Sequence, residues 1–433
     1  MVRFMGKPSF GKNSIIVGFA LFAMFFGAGN LIFPPTLGQE SGGLWPASLI
    51  AFVVFDAVLA CGGIYVLAES GSPVATIEGA IGKKPALVLV TAATACLCVL
   101  FAMPRTAATT FEISVAPYLG DDPSWAMLPF SLAFFAAVYL LSMRESRMVD
   151  IIGRFFTPTL VVGVVILVAA GIVQPIGPIG EPLVGQVVQE GVRAGYQTMD
   201  VLGVVAFGII IIDSAVVQGY GTGKEKLGVI GCGGLITVLL LGLIYGGLAY
   251  LGATSDSLGT GMSQVGLLVA ITRALLGDAG LAILGVVVLL ACITTAVALV
   301  GSAAAYFEKL THIRYRILLA ADCIIGVLIC NLGLDAILQF ADPVLGCVYP
   351  PLLTVVVMLF FRRFIHGRAL YQGAALGALL AGFALELYAN GIIAAIPLDG
   401  LPFYSLGFAW VPFAALGALA GWLIQRLRKP PAS

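Results

Sequence analysis

An interrupted apolar stretch near the amino terminus is the part of the sequence best suited to binding chemistry. Residues 25–35 read FFGAGNLIFPP and lie inside the first long apolar run. The glycines at 27 and 29 and the prolines at 34 and 35 oppose continuous helical hydrogen bonding. Backbone groups freed inside a membrane must line a cavity or hold a ligand. The pattern therefore predicts a broken membrane helix with a binding site, as in secondary transporters of small solutes.

A second polar feature lies in the eighth apolar stretch, where residues 289–307 read LLACITTAVALVGSAAAYF. Helical threonine hydroxyls commonly bond back to a carbonyl of the preceding turn, and this role is open to both Thr294 and Thr295. Adjacent threonines cannot share one helix face, however, so one of them can turn into the bundle beside Ala291. Neutral oxygen atoms are hard ligands, suited to an alkali cation that must bind and leave.

The elements that position these residues are membrane helices. Only 10% of the 433 residues are charged, and the mean hydropathy is +1.07. Each apolar run is long enough to cross a bilayer core of about 30 Å. The sequence predicts an all-α integral membrane protein, a single transporter domain over 1–433, with about twelve transmembrane helices near 13–36, 44–68, 86–112, 124–142, 151–174, 190–217, 228–252, 280–306, 316–333, 335–361, 370–390 and 403–425.

The distribution of positive charge predicts the orientation. All lysines and arginines except Arg105, Arg193 and Arg273 fall on one side of the predicted spans. The positive-inside rule then places both termini in the cytoplasm and requires an even number of crossings. The formal net charge of +0 shows no excess of basic residues of the kind that nucleic-acid binding requires. The eight cysteines all lie in apolar segments without metal-ligand spacing, which predicts packing roles.

Two further interruptions follow the first. The sixth stretch contains GYQTMDVLGVVAFG at 195–208, and the tenth contains ADPVLGCVYPP, with three prolines, at 341–351. Breaks in the first and sixth helices are five helices apart, as two inverted five-helix repeats would produce. This predicts repeats over about 13–174 and 190–361, followed by two extra helices over about 370–425. The alternative is twelve ordinary helices with incidental glycines.

Ionisable residues within the predicted spans need partners, because each costs roughly 2.5–3.5 kcal/mol on insertion scales. Asp56 lies mid-helix in the second stretch, and Arg105 lies in the third, two helical turns before Glu112. A structural Asp56–Arg105 or Arg105–Glu112 pair is favoured over a gating role. Asp322 and Glu386 are expected to be helix-packing charges.

Four segments together carry a family resemblance: residues 19–42, 101–117, 195–200 and 292–307. They are similar to the bacterial branched-chain amino acid:cation symporter family, and the match in length and segment count runs over the whole chain. That family resembles the inverted-repeat leucine-transporter fold. The resemblance implies a multi-pass protein of the bacterial cytoplasmic membrane that carries leucine, isoleucine and valine. Its partners would be the amino acid and the lipid bilayer, with no nucleic acid and no obligate protein partner.

The resemblance also implies site residues. Sodium would be bound by three carbonyls and two hydroxyls, those of Ala23, Phe26, Ala291, Thr294 and Thr295. Asn30 would ligate a second cation if one exists. The substrate carboxylate would meet freed amides at Gly27, Ala28 and Gly29, and the side-chain pocket would be lined by Tyr196, Thr198 and Phe207. Asp200 is expected to hold a sixth-helix amide or to pair with Arg193.

The coupling ion is predicted from the fifth stretch. In proton-driven relatives of the fold, a lysine on the fifth helix commonly replaces the cation, and residues 155–173 contain no lysine. Sodium is therefore favoured, while Asp56, Asp200 and Asp342 keep proton coupling open. The alternatives are a proton-coupled transporter of another small neutral amino acid and, in a different class, a channel. An enzyme is not expected, because no metal-protease motif or phosphate loop is present.

Overall fold

The computed structural model describes residues 10–69, 72–120, 123–143, 148–217, 219–220, 223–393 and 398–428. Within them all the regular secondary structure is helical and no strand is present, which confirms the all-α class. Seven helical stretches are long and apolar enough to cross a membrane. The basic residues Arg3 and Lys7 lie outside the described residues, and the predicted orientation and number of crossings stay predictions.

Nine α-helices lie among the described residues of the first half of the chain. Their bounds are α1 (Phe10–Phe25), α2 (Ala28–Ser41), α3 (Trp45–Val53), α4 (Leu59–Leu67), α5 (Pro73–Ile81), α6 (Lys83–Ala95), α7 (Ala102–Ser114), α8 (Met127–Ser142) and α9 (Met148–Val173). A π-helical turn joins α3 to α4 over Val54–Val58, and another joins α6 to α7 over Cys96–Leu100. Such turns widen a helix locally and are frequent at functional sites.

The described part of the second half contains eight α-helices. They are α10 (Val187–Thr198), α11 (Val204–Val217), α12 (Gly223–Ala253), α13 (Gln264–Thr311), α14 (Tyr315–Cys330), α15 (Leu334–Phe360), α16 (Arg368–Ala389) and α17 (Val411–Arg428). Helix α13 is interrupted at Gly277, whose φ of 67° lies in the left-handed region. The breaks expected in the first and sixth stretches are present, between α1 and α2 and between α10 and α11.

The break expected in the tenth stretch is absent, so that prediction was wrong. Helix α15 runs without interruption through Pro343, Pro350 and Pro351. Membrane helices tolerate proline where neighbouring groups cover the freed carbonyls. Pro350 frees the carbonyl of Gly346, which lies so close to Gly382 of α16 that a Cβ atom there would be 2.6 Å away. Close packing by α16 thus shields the backbone that proline leaves unpaired.

Glycines allow the central helices to approach closely, as expected for packing in lipid. Helix α12 packs against both α1 and α2. A Cβ atom at Gly38 would collide with the backbone of Ala249, and one at Gly252 would collide with the backbone of Pro35. Helix α12 therefore holds the two halves of the broken first helix in place. The predicted burial of cysteines holds except at Cys232 on α12, which is exposed, and Cys347, which is half-buried.

Candidate functional site

The first break presents backbone donors. Helix α1 ends at Phe25 and α2 begins at Ala28, and no side chain caps α2 at its N-cap residue Gly27. The first amides of a helix have no acceptor within the helix, and the helix dipole makes this end positive. The Gly27 amide, however, donates to the Phe25 carbonyl at 2.9 Å, contrary to the predicted freed amide. The amides without an acceptor inside the helix are therefore those of the first turn of α2, beginning with Ala28 and Gly29.

The second break is closed by a buried arginine. Helix α10 ends at Thr198, and Met199 follows in the left-handed region with a φ of 69°. Arg105 of α7 is 3% exposed and donates to the carbonyls of Gln197 and Thr198, the latter at 3.1 Å. Its guanidinium thus satisfies the carbonyl end of the half-helix. This corrects the predicted Asp56–Arg105 or Arg105–Glu112 pair: among the described residues Arg105 forms no ion pair with either carboxylate, because its guanidinium bonds to the carbonyls of α10.

The two breaks meet at a small cavity. Five of the six residues predicted for the substrate and two of the six predicted for the cation line it, together with the ionisable residues Arg105 and Asp200. The lining includes Gly27, Ala28, Gly29, Asn30, Arg105, Thr106, Thr198, Asp200, Phe207 and Thr295. Phe207 packs edge-on against Phe25, with ring centroids 5.7 Å apart. The cavity therefore combines backbone donors, a guanidinium and an apolar wall.

Tyr196 lies elsewhere. Its ring stacks on Tyr349 at a centroid distance of 4.5 Å and meets the edge of Phe55 at 6.0 Å. It lines a separate cavity of about 920 Å³ that also contains Arg193 and Asp342. Arg193 forms its ion pair with Asp342 and not with Asp200, which corrects the second expectation for Asp200.

The residues predicted to bind sodium are only partly brought together. A Cβ atom at Gly27 would lie 3.8 Å from Cγ2 of Thr295, so α13 faces the first break at this threonine. The Thr294 hydroxyl donates to the Ala291 carbonyl at 2.6 Å, the common back-bonded arrangement. Ala23 and Phe26 lie in and just after the last turn of α1. These assignments stay predictions.

A buried polar cluster adjoins the cavity at Asn30. The Asn30 side-chain amide donates to Asp200 at 3.1 Å and to the Tyr245 hydroxyl of α12. Asp56 is buried in the π-helical turn between α3 and α4, and neither of its carboxylate oxygens has a hydrogen-bond partner among the described residues. The sequence identified both aspartates as intramembrane charges without showing these surroundings, since no local pattern reveals a π-helical turn or a contact across 170 positions.

Asp322 and Glu386, predicted as packing charges, lie away from this cavity. Asp322 on α14 is 5% exposed. Neither of its carboxylate oxygens has a hydrogen-bond partner among the residues that the structure describes. Glu386 on α16 lies against Gly346 of α15 and lines the 920 Å³ cavity.

Another cavity, of about 810 Å³, is lined by residues of α11 and α13. Ala206 and Ala298 in its lining are next in sequence to Phe207 and Leu299, which line the small cavity. Lys309 and Tyr315 also line it.

An all-helical bundle with its polar site between two helix breaks is the architecture of a secondary transporter. Solved structures share this fold. One is Mhp1, a nucleobase-cation-symport-1 family transporter in a closed conformation, with a TM-score of 0.60, 15% identity, and coverage of 96% of this chain and 92% of that one. Another is a Na+-coupled sialic acid symporter, with a TM-score of 0.56, 15% identity, and coverage of 100% and 92%.

The chain belongs to the branched-chain amino acid transport protein family, whose family model matches residues 10–428. The branched-chain amino acid permease BrnQ of Bacillus subtilis (strain 168) is 32% identical over 437 residues, which cover 98% of this chain and 99% of that one. These matches confirm the predicted family and the leucine-transporter-like fold. The protein is a multi-pass membrane transporter and not an enzyme.

Proposed function

We propose that this protein is a symporter that imports leucine, isoleucine and valine, driven by sodium and working by alternating access. The observation that carries the proposal is the small cavity where the uncapped start of α2, the Arg105 guanidinium and Thr295 meet. Family membership supports the substrate class. The proposal includes one domain with inverted repeats over about 13–174 and 190–361, in a bacterial cytoplasmic membrane with both termini cytoplasmic.

The substrate carboxylate is placed between α2 and Arg105. A Cβ atom at Gly29 would lie 2.7 Å from a guanidinium nitrogen of Arg105, so the two donors are adjacent. The Arg105 Nε atom is buried and has no hydrogen-bond partner in the described part of the chain. A buried donor without an acceptor is costly, and a carboxylate is its strongest acceptor. The first turn of α2 adds amides and its positive dipole.

The substrate side chain is placed against the apolar wall. Phe25 and Phe207 lie with Leu97 and Leu299 around the same cavity. One methylene changes affinity in such a pocket by only about 1–3 kcal/mol. Overlapping transport of leucine, isoleucine and valine follows from this small difference.

Sodium is placed at Thr295 and the neighbouring neutral oxygens of α1 and α13. Neutral ligands suit a cation that must be released in each cycle. A structural neighbour described as a Na+-coupled symporter has the same fold and supports this choice. One charge moving through 100 mV supplies about 2.3 kcal/mol, or roughly fifty-fold accumulation of substrate. One coupling ion is therefore sufficient.

The decisive experiment is uptake of labelled leucine into proteoliposomes that contain the purified chain. An inward sodium gradient is compared with an inward proton gradient in the absence of sodium, for the wild type, Thr295→Ala and Thr354→Ala. Thr354 is a matched control because its hydroxyl bonds to the Pro350 carbonyl of α15, away from the cavity. We expect saturable, sodium-driven accumulation that Thr295→Ala abolishes and Thr354→Ala retains.

Each other outcome contradicts a specific part of the proposal. Accumulation driven by protons without sodium would favour proton coupling, and accumulation of another small neutral amino acid in place of leucine would change the substrate. Leucine flux that equilibrates without accumulation or saturation would indicate a channel. Equal loss in both threonine variants would remove the assignment of Thr295.

A further inference from the structure

The proposed substrate is a zwitterion, so its ammonium group needs a partner as well as its carboxylate. The carbonyl end of a half-helix is negative and suits a cation. At the end of α10, however, Arg105 already donates to the carbonyls of Gln197 and Thr198. An ammonium at the same carbonyls would lie beside the guanidinium, and the two like charges would repel each other. The ammonium therefore needs a different acceptor.

Asp200 provides an acceptor in the small cavity. It lies two residues beyond Thr198, and it holds the one carboxyl group among the described residues of the cavity lining. The residue is 6% exposed. Within the described part of the chain, it forms no ion pair with Arg105 or with any other basic residue. A buried carboxylate without a cationic partner is unfavourable, and a substrate ammonium would supply that partner.

The other side-chain oxygens of the cavity lining are neutral, and two of them belong to hydroxyls that already donate elsewhere. The Thr106 hydroxyl donates to the Met103 carbonyl at 2.6 Å, and the Thr198 hydroxyl donates to the Gly195 carbonyl at 2.7 Å. A hydroxyl can still accept from an ammonium, but a carboxylate adds the attraction of a full opposite charge. Asp200 is therefore the strongest side-chain acceptor for an ammonium in this cavity.

The start of α2 adjoins both Arg105 and Asp200. A Cβ atom at Gly29 would lie 2.7 Å from a guanidinium nitrogen of Arg105. Asn30 follows Gly29 directly, and its side-chain amide donates to Asp200 at 3.1 Å. The ammonium and the carboxylate of an α-amino acid are carried by the same carbon atom. One substrate molecule can therefore place its carboxylate at the donors and its ammonium at Asp200.

We infer that Asp200 binds the α-ammonium group of the substrate and selects α-amino acids over carboxylic acids that lack an amino group. The inference rests on the proposed transport function. The first turn of α2 and Arg105 hold the substrate carboxylate, and Asp200 holds the ammonium. The charges then balance, because the guanidinium and the ammonium are matched by two carboxylates, one from the substrate and one from Asp200.

The test compares leucine with 4-methylpentanoate, which has the same carboxylate and side chain but no ammonium group. Isothermal titration calorimetry measures the affinity of each ligand for the purified wild type and for Asp200→Asn in saturating sodium. We expect the preference for leucine over 4-methylpentanoate to be at least about tenfold smaller in Asp200→Asn, since an interaction between two charged groups is lost. The affinity for 4-methylpentanoate should not fall, because that ligand has no group that binds Asp200.

Asp322→Asn is the matched control, because Asp322 is 5% exposed and its carboxylate oxygens have no hydrogen-bond partner in the described part of the chain. It lies outside the small cavity and should keep the wild-type preference. The same change in Asp322→Asn as in Asp200→Asn would overturn the inference. An unchanged preference in Asp200→Asn would also overturn it and would place the ammonium at backbone carbonyls. Equal weakening of both ligands that more sodium restores would overturn it in favour of a second sodium ion at Asp200.

Leucine counterflow separates this inference from the transport function. Exchange of labelled for unlabelled leucine across proteoliposomes needs no net ion movement, so its absence in the wild type would overturn the proposed function itself. Exchange in the wild type, together with an unchanged ligand preference in Asp200→Asn, would overturn only the assignment of Asp200.

A measurement on the wild type alone covers the case that Asp200→Asn fails to fold. The ligand 2-hydroxy-4-methylpentanoate carries a neutral hydroxyl where leucine carries its ammonium. A carboxylate partner favours the charged group, so this hydroxy acid should bind at least about tenfold more weakly than leucine. Equal affinity for the two ligands would show that a neutral acceptor is sufficient, and the inference would be overturned.

Discussion

The two helix breaks have opposite chemical characters. The first, between α1 and α2, spans two residues and leaves the positive start of α2 without a capping side chain. The second, between α10 and α11, spans residues 199–203, and Arg105 occupies its carbonyl end. The first break is therefore available to a ligand, whereas the protein itself satisfies the second. Under the proposed function, the first break would therefore hold most of the substrate, and the second would supply charged groups around it.

Closing the first break should have the largest effect. In Gly29→Ala the added Cβ would lie 2.7 Å from Arg105 and 3.1 Å from Phe33, so the guanidinium and the start of α2 could not keep their positions. We expect leucine uptake to fall at least about a hundredfold, since a displacement of about 1 Å at a site is sufficient for this. Uptake into proteoliposomes is the measurement.

The control for this change is Gly163→Ala on α9, where nothing lies within 4 Å of the added Cβ. It should transport as the wild type does. Normal uptake by Gly29→Ala would mean that the first break has more room than the structure shows. It would contradict the view that the first break, and not the second, is the part available to a ligand.

The second-largest loss of uptake is expected when the contact of Arg105 with the carbonyl end of α10 is weakened. In Arg105→Lys a single ammonium replaces a guanidinium that reaches two carbonyls at once, and lysine cannot reproduce that fork. Charge-assisted hydrogen bonds contribute about 1.5–3 kcal/mol, which corresponds to a roughly tenfold to hundredfold loss in kcat/KM for leucine.

Arg273→Lys, in an exposed ion pair with Asp278, provides the matched control and should change uptake little. If Arg105→Lys left kcat/KM intact while Arg105→Gln abolished uptake, charge alone would matter at the second break, and the two-carbonyl geometry would not.

Enlarging the cavity at its apolar wall should change the selectivity for amino acids more than the rate of leucine transport. Phe207→Ala removes the ring that packs against Phe25 and lines the cavity. We expect the KM for leucine to rise about tenfold, which is within the range for lost apolar contacts. Larger side chains such as that of phenylalanine should become substrates. Competition by unlabelled amino acids against labelled leucine measures this, and an unchanged competition profile would place the side-chain pocket elsewhere.

The smallest effect is expected at the exposed ion pair of Arg193, in the middle of α10. The Arg193–Asp342 ion pair joins α10 to α15, and the Arg193 side chain is 59% exposed. Exposed pairs contribute about 0–1 kcal/mol, so Arg193→Gln should change uptake by less than about fivefold. Arg193→Lys, which keeps the charge, should change it less. A much larger loss of uptake in Arg193→Gln that is not seen in Arg193→Lys would indicate that this ion pair acts as a gate. The second break would then be a part of the protein that moves during transport.

The sequence by itself determined where the main helix is broken and which fold class results. The break lies at the start of the glycine-containing run, next to Gly27, as the sequence predicts, but α2 continues through Gly29, Pro34 and Pro35 without interruption. Proline also fails to interrupt α15 at Pro350, because α16 covers the carbonyl that this proline frees. A break is thus predictable from sequence only where neighbouring helices do not compensate for it.

Only the tertiary structure decided which buried charges meet. Arg105 finds the carbonyls of Gln197 and Thr198, which are 92 and 93 positions away, and Asn30 reaches Asp200 and Tyr245, which are 170 and 215 positions away. The sequence showed that Asp56, Arg105 and Asp200 need partners but not which ones. A buried charge is stabilised by whichever polar groups helix packing brings next to it, and spacing along the chain carries no information about that contact.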